Sequence, residues 1–418
     1  MAKFIVEGGN SLNGEVQIAP AKNACLPIIA STIAFNGSFL IKNAPNISDV
    51  CDMSSIINCL GGESKNDAFG LEINTFRINE YKCEKSLCSR IRASFFTVGA
   101  LLSRFKRAVL PLPGGCKIGN RPIDVHIDVL NQLGVRCDFD NDCVCFNGNN
   151  MKSGKVRFRY PSVGATVNAI CASIFLKGET ILINVAKEPE IVDLCNFLIK
   201  CGCKIKGQGN SEIIVQGITP PIFVSVEHTP ILDRIEAGTF MCACAVCKGD
   251  IVFKYDDYAT ISKITEKLTK SGANCSYKGN KMRITCKKRL KATSVTANVY
   301  PAFPTDMQSI ICAVCAYSSG KSTIYDKVFS ERFEFVKQLE KMGAKAIFKH
   351  GGVQIYGVKR LKGGQVYATD LRAGAGLIIA GLDADGVTQI EDAQIIMRGY
   401  ENIHKKLNEM GANIRLIP

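Results

Sequence analysis

Cys116 lies in the stretch PLPGGCKIGNRPIDVH, residues 111–126, with Lys117 and Arg121 within a few residues of its sulfur. Nearby cations favour the thiolate, so this thiol is expected to ionise easily. Gly114 and Gly115 precede it, and their permissive backbone suits a loop that carries a reactive group onto a bound substrate. The chain holds 20 cysteines, most of which serve as small buried hydrophobes, so the loop needs support from elsewhere in the sequence.

A second set of chemistry-bearing residues supplies it. Lys22, Arg92, Ser162, Asp233, Asp306 and Arg372 follow one another at gaps of 70, 70, 71, 73 and 66, each where an apolar helix is expected to open. A helix N-terminus offers unpaired N–H groups and partial positive charge, and several facing a common cleft would make an anion site. Lys22, Arg92, Arg372 and, opening a second helix in MRGYENI, Arg398 add full charges and bidentate contacts to phosphate or carboxylate. Lys and Arg are poor choices at a positive helix end unless an anion is near, which points Lys22 and Arg398 towards ligands. Asp233 and Arg234 fit a role as N-cap and salt-bridge partner as well as they fit an anion site.

The elements that must position these residues form an internal repeat of about seventy residues. A helix-like segment ending in Gly recurs at Gly61, Gly134, Gly202, Gly272, Gly343 and Gly411, with gaps of 73, 68, 70, 71 and 68. Each Gly suits a helix C-terminal cap before a strand. In phase with it runs a second marker, an apolar helix followed by Gly and a β-branched strand, at Gly37, Gly178, Gly249, Gly320 and Gly386, with Arg107 standing in for Gly in the second unit. Each unit reads helix, strand, helix, strand or hairpin, and six such units imply a pseudo-symmetric α/β architecture of two domains with three units each. Pro220, Pro221 and Pro230 mark the seam.

Composition bounds the rest. The chain has 418 residues, 46% hydrophobic and 22% charged, enough to bury large cores in two or more domains. The N-terminus shows no apolar signal core, and the richest apolar runs, such as residues 376–382, are too short to span a bilayer, so a cytoplasmic protein without membrane partners is expected. Net charge is +14, yet the densest knot, Lys287, Lys288 and Arg289, has no interleaved aromatics, which argues for a solvated face and against nucleic acid. Cys244–Cys247 and Cys312–Cys315 look like paired metal motifs, but their offset of 68 makes them equivalent helix-packing positions in successive units. No metal or cofactor is expected.

The word GGCxIGxRPxDxH, with further matching stretches from Asn10 to Ala412, resembles the active-site loop of the UDP-N-acetylglucosamine 1-carboxyvinyltransferases, a branch of the enolpyruvyl transferases. That resemblance implies two inside-out α/β domains of three pseudo-repeats each, residues 22–229 in the first and residues 1–21 with 230–418 in the second. It implies that Lys22 and Asn23 contact phosphoenolpyruvate and the sugar nucleotide. Arg92, Arg121, Arg372 and Arg398 would hold phosphate and carboxylate. Arg121, Pro122, Ile123, Asp124 and Val125, with Ser162, Val163 and Gly164, would line the uridine diphosphate site. Asp306 corresponds to the carboxylate nearest the sugar hydroxyl, and Val328 to a residue against the sugar. Tyr160 and Phe96 depart from the family pattern, at positions that touch nucleotide affinity more than chemistry.

The implied reaction opens peptidoglycan synthesis. The 3-hydroxyl of UDP-N-acetylglucosamine attacks C2 of phosphoenolpyruvate, C3 takes a proton from Cys116, and phosphate leaves, with Asp306 as base and Lys22 stabilising the phosphate. Because these residues divide between the two domains, the domains are expected to close on the sugar nucleotide. Cys116 is also the expected site of alkylation by fosfomycin. The nearest alternative is 3-phosphoshikimate 1-carboxyvinyltransferase, against which the Cys116 loop and the SVGAT and RPxDxH words argue. A basic nucleic-acid-binding repeat protein would explain the charge but not six helix openings in register.

Overall fold

The computed structural model describes residues 2–67, 69–112 and 123–418. Residues 22–74 show how one repeat is built: helix Lys22–Thr32, strand Gly37–Lys42, helix Ser48–Cys59, then the hairpin strands Glu63–Asn66 and Gly70–Asn74. In five of the six repeats a further strand completes a four-stranded sheet. Here Val224–His228 pairs parallel with Gly37–Lys42, placing Val226 opposite Phe39.

The pattern recurs six times, giving five four-stranded sheets and one three-stranded sheet among the described residues. The sixth repeat has only one strand after its last helix, and the N-terminus completes it. Lys3–Glu7 pairs antiparallel with both Val387–Glu391 and Asn413–Ile417, while Asn13–Glu15 lies parallel to Asp250–Lys254.

The six glycines expected to end helices all adopt left-handed backbone, with φ of 96°, 87°, 94°, 112°, 90° and 104° from Gly61 to Gly411. A side chain there would be strained, which is why the marker survives in every repeat. The second marker is less uniform. Lys106 and Lys248 take the left-handed turn in the second and fourth repeats, with φ of 57° and 54°, one residue before the positions marked in the sequence. Gly249 is held instead by crowding, since a Cβ there would stand 2.0 Å from the carbonyl oxygen of Leu12.

Contacts divide the chain into two units, residues 2–19 with 232–418 and residues 20–112 with 123–231. In the first of these, the helices Arg234–Val246, Gln308–Tyr317 and Leu371–Leu382 are buried at every residue. They are apolar all round, and such a helix is stable only when surrounded by protein. In the other unit Lys22–Thr32, Thr97–Phe105 and Val163–Ser173 play the same part, buried except at one end. The second helix of each repeat is amphipathic. Tyr258–Ser271, for example, turns Ile261, Ile264, Thr265 and Leu268 inward. Each unit thus has apolar helices at its centre and sheets with amphipathic helices around them.

All nineteen described cysteines are free thiols, and thirteen are buried. Cys244, Cys247, Cys312 and Cys315 belong to the core of their unit, and no described group of three or more His, Cys, Asp or Glu is arranged to hold a metal ion. No described helix is long and apolar enough to cross a membrane.

Candidate active site

In the unit built from residues 232–418, the chemistry gathers at the openings of two core helices. Asp306 sits in the single turn Thr305–Met307 that leads into Gln308–Tyr317. Arg372 is the second residue of Leu371–Leu382, whose N-cap, Asp370, accepts the backbone N–H groups of Arg372 at 2.8 Å and Ala373 at 3.1 Å. The side chain of Arg372 returns to Asp306, donating from Nε at 3.3 Å and Nη2 at 3.2 Å to Oδ2.

A residue that the sequence reading missed completes this cluster. Arg332, 4% exposed, donates from Nη1 to Oδ1 of Asp306 at 3.2 Å and from Nη2 to Oδ1 of Asp370 at 3.0 Å. Two guanidiniums therefore clamp the Asp306 carboxylate from either side. Burial alone would depress the pKa of each; the carboxylates of Asp370 and Asp306 hold Arg332 above its ordinary value, and Tyr400 and Asp306 do so for Arg372. Arg372 also stacks over the Tyr400 ring at 5.1 Å, and Tyr400 shares a 2.9 Å hydrogen bond with Thr239. Arg332 Nε and Arg372 Nη1 are buried and without a partner among the described residues. Buried donors of this kind are costly unless a ligand satisfies them.

Val328 lies on the segment that follows strand Lys321–Asp326 and leads to Arg332. Asp326 accepts the N–H groups of Val328 at 2.8 Å and Phe329 at 2.9 Å, and its other oxygen takes the hydroxyl of Thr305 at 2.5 Å, next to Asp306. Val328 is 37% exposed.

One expectation changes here, and one open alternative is resolved. Arg398 does not open a helix: it is the C-cap of Ala393–Met397, and the next helix begins at Ile403 after Asn402 in the left-handed region. A cation at a C-terminal end needs no external anion, so the argument from helix polarity no longer points Arg398 at a ligand. Asp233 is an N-cap, its Oδ1 accepting from Ile235 N at 2.7 Å and Glu236 N at 3.0 Å, and Arg234 stacks on Tyr300 at 5.9 Å.

In the unit built from residues 20–231, Lys22 opens its helix as expected, but not as a lone cation. Its Nζ lies 3.0 Å from Oδ2 of Asp49, both side chains nearly buried. Asp49 is thus the anion that makes Lys22 acceptable at a positive helix end. Asn23, the next residue, is half-buried, and Arg92 begins the turn Arg92–Phe96.

The expected nucleotide-binding words do come together, through a residue not singled out. His126 packs edge-on against Phe95 at 5.2 Å, and its Nδ1 accepts from Asn168 Nδ2 at 2.9 Å. Burial and the nearby Arg92 charge push its pKa down to about 3, so the ring is neutral. Gly164 faces it. A Cβ there would stand 2.7 Å from His126 Cε1, so only glycine lets the Ser162–Gly164 turn approach. Ser162 caps its helix by accepting from Ala165 N at 3.4 Å. On the other side Ile123 caps the helix Asp124–Gln132, Val125 is buried, and Arg159 reaches Asp124 at 3.1 Å and Asp128 at 3.3 Å. Asp124 Oδ1 is buried without a partner among the described residues. Arg159 supplies a basic side chain beside Tyr160, which is 49% exposed. Cys116, Arg121 and Pro122 lie outside the described residues.

Comparison with known proteins fits this geometry. The sequence profile of the EPSP synthase (3-phosphoshikimate 1-carboxyvinyltransferase) family matches residues 6–407. UDP-N-acetylglucosamine 1-carboxyvinyltransferase 1 of Clostridium acetobutylicum is 40% identical over 419 residues, covering 100% of both chains. Its counterpart from Rickettsia prowazekii is 38% identical over 422 residues, again covering 100% of both. Among solved structures, the enolpyruvyl transferase NikO from Streptomyces tendae superposes with a TM-score of 0.89 at 22% identity, over 100% of this chain and 99% of that one. EPSP synthase from Acinetobacter baumannii does so at 0.74 and 16%, over 100% of each; at those identities both show the fold alone. From full-length identity with its relatives, this chain belongs to the enolpyruvyl transferase family, in the branch of the UDP-N-acetylglucosamine 1-carboxyvinyltransferases.

Proposed function

We propose that this chain transfers the enolpyruvyl group of phosphoenolpyruvate to the 3-hydroxyl of UDP-N-acetylglucosamine, releasing phosphate in the first committed step of peptidoglycan synthesis. The observation that carries this reading is the carboxylate of Asp306 clamped between two buried guanidiniums, each with a nitrogen still to be satisfied. A fixed carboxylate is suited to orient a sugar hydroxyl and accept its proton. Donors held rigid beside it are suited to the carboxylate of phosphoenolpyruvate.

In the forward sequence the hydroxyl oxygen forms a bond to C2 while its proton passes to Asp306, and C3 takes a proton from Cys116. The adduct then returns a proton from C3 to the Cys116 thiolate, the bond from C2 to the phosphate oxygen breaks, and phosphate departs, carrying away the proton that Asp306 had accepted. Lys22, Arg92, Arg121 and Arg398 are assigned to the phosphate, whose charge grows as it leaves. Lys22 begins near Asp49, so phosphate would share that cation. Asn23, Ile123 to Val125, Ser162 to Gly164 and Val328 are assigned to the sugar nucleotide, with Gly164 and His126 holding the nucleotide-binding words in register. Both substrates are soluble anions, and we place the enzyme in the cytoplasm, acting on small molecules.

Phosphate release from phosphoenolpyruvate tests the reading directly. Release that depends on UDP-N-acetylglucosamine and not on shikimate 3-phosphate supports it; the opposite dependence assigns the chain to the alternative reaction.

A further inference from the structure

The net charge of +14 is concentrated in one place. Residues 248–291 carry twelve basic side chains against four acidic ones, a net +8 within the fourth repeat. The sheet of that repeat runs in the order Asn274–Lys278, Lys281–Thr285, Asp250–Lys254, Asn13–Glu15. Met282, Ile284, Ile251 and Phe253 are buried on its inner face, so the alternate residues face outward.

The register sets Lys278 opposite Lys281, and Lys281 opposite Lys254. Three exposed lysines therefore stand in one row across three adjacent strands. On the same face Arg283 is neutralised by Asp250 at 2.6 Å, whereas none of the three lysines has an ion-pair partner among the described residues. Like charges directly opposite one another destabilise a sheet. An uncompensated row of them is a surface whose favourable state includes an anion.

We propose that this sheet face docks an acidic helical segment of a partner protein. Cross-strand neighbours have Cβ atoms about 4.5–5.5 Å apart, and residues one turn apart on a helix are about 5–6 Å apart, so a helix laid across the strands offers one carboxylate to each lysine. The outward face carries no aromatic side chain on which a nucleic-acid base could stack. Val252 is the one apolar side chain on these three strands that faces outward, too little to anchor in a bilayer.

The test uses the full chain with a fluorescent, alanine-rich helical peptide of about 20 residues bearing Glu at every turn of one face. Controls are a proline-broken peptide of equal charge, phosphatidylserine vesicles and polyuridine. The helical peptide is expected to bind in a salt-dependent way and to lose about tenfold in affinity in the variant Lys254→Gln, Lys278→Gln, Lys281→Gln. That variant keeps wild-type turnover and melts at a higher temperature, since the repulsion is gone. Absence of binding at low salt, equal binding by the triple variant, or equal binding of the broken peptide overturns the proposal. So does binding of vesicles or polyuridine through these lysines without binding of the helical peptide.

Discussion

Arg332→Met removes the guanidinium that joins Asp306 to Asp370, and its cost can be worked from the contacts. Taking away one partner of a buried ion pair costs about 3–5 kcal/mol, because the other charge is left uncompensated. Asp370 keeps two backbone N–H donors at the opening of Leu371–Leu382, and Asp306 keeps Arg372, which places the loss at the lower end, about 3 kcal/mol. Asp370→Asn retains the cap oxygen but removes the charge that Arg332 faces. If the pair is real, urea unfolding of the single and double variants should show a coupling of about 1–3 kcal/mol, the double variant being less damaged than the sum of the singles. Turnover gives the second readout. A donor to a charged group is worth about 1.5–3 kcal/mol, so KM for phosphoenolpyruvate should rise by about tenfold to a hundredfold in Arg332→Met. Strict additivity of the two substitutions, or an unchanged KM, would refute this account of Arg332.

Lys22→Met should abolish turnover and also lower stability by about 1–3 kcal/mol, since Asp49 is buried beside it; normal turnover removes Lys22 from the chemistry. His126 titrates near 6.5 in the unfolded chain and at about 3 in the folded one, so only the unfolded state takes up its proton between those values. Its contribution is complete above pH 6.5 and is lost as pH falls, about 2 kcal/mol by pH 5, and His126→Gln should flatten that slope in unfolding measurements; an identical slope in the variant would contradict the assignment. Fosfomycin should leave a single adduct, on Cys116, by mass spectrometry. Burial pushes thiols such as Cys195 and Cys203 up to about 12, which keeps them unreactive, and scattered labelling would contradict the assignment of Cys116.

Local rules made much of the fold legible. The six capping glycines are dictated by backbone conformation alone, so their spacing in the sequence reveals the repeat without reference to any tertiary contact. Helix openings at Lys22, Ser162, Asp233 and Arg372 were legible for the same reason. Partners distant in sequence were not. Nothing near Lys22 signals Asp49, and Arg332, only four residues beyond Val328, acquires its meaning from Asp306 and Asp370. The misplacement of Arg398 has one tertiary and one local cause. Gly399 lies so close to Leu371 that a Cβ would stand 2.6 Å from its side chain, and Asn402 at φ 50° breaks the chain direction, delaying the helix to Ile403. In the sequence His126 stands only as the last residue of a motif, because its role, closing against Gly164 and Asn168, belongs to a packed interior.

The acceptor distinguishes this enzyme's reaction from that of 3-phosphoshikimate 1-carboxyvinyltransferase. Purified full-length protein, incubated with phosphoenolpyruvate and each acceptor in turn, should release phosphate in step with UDP-N-acetylglucosamine consumed and none above background with shikimate 3-phosphate. Asp306→Asn should reduce that release on the order of a hundredfold or more. Phosphate release with shikimate 3-phosphate in place of UDP-N-acetylglucosamine, or with neither, would contradict the account.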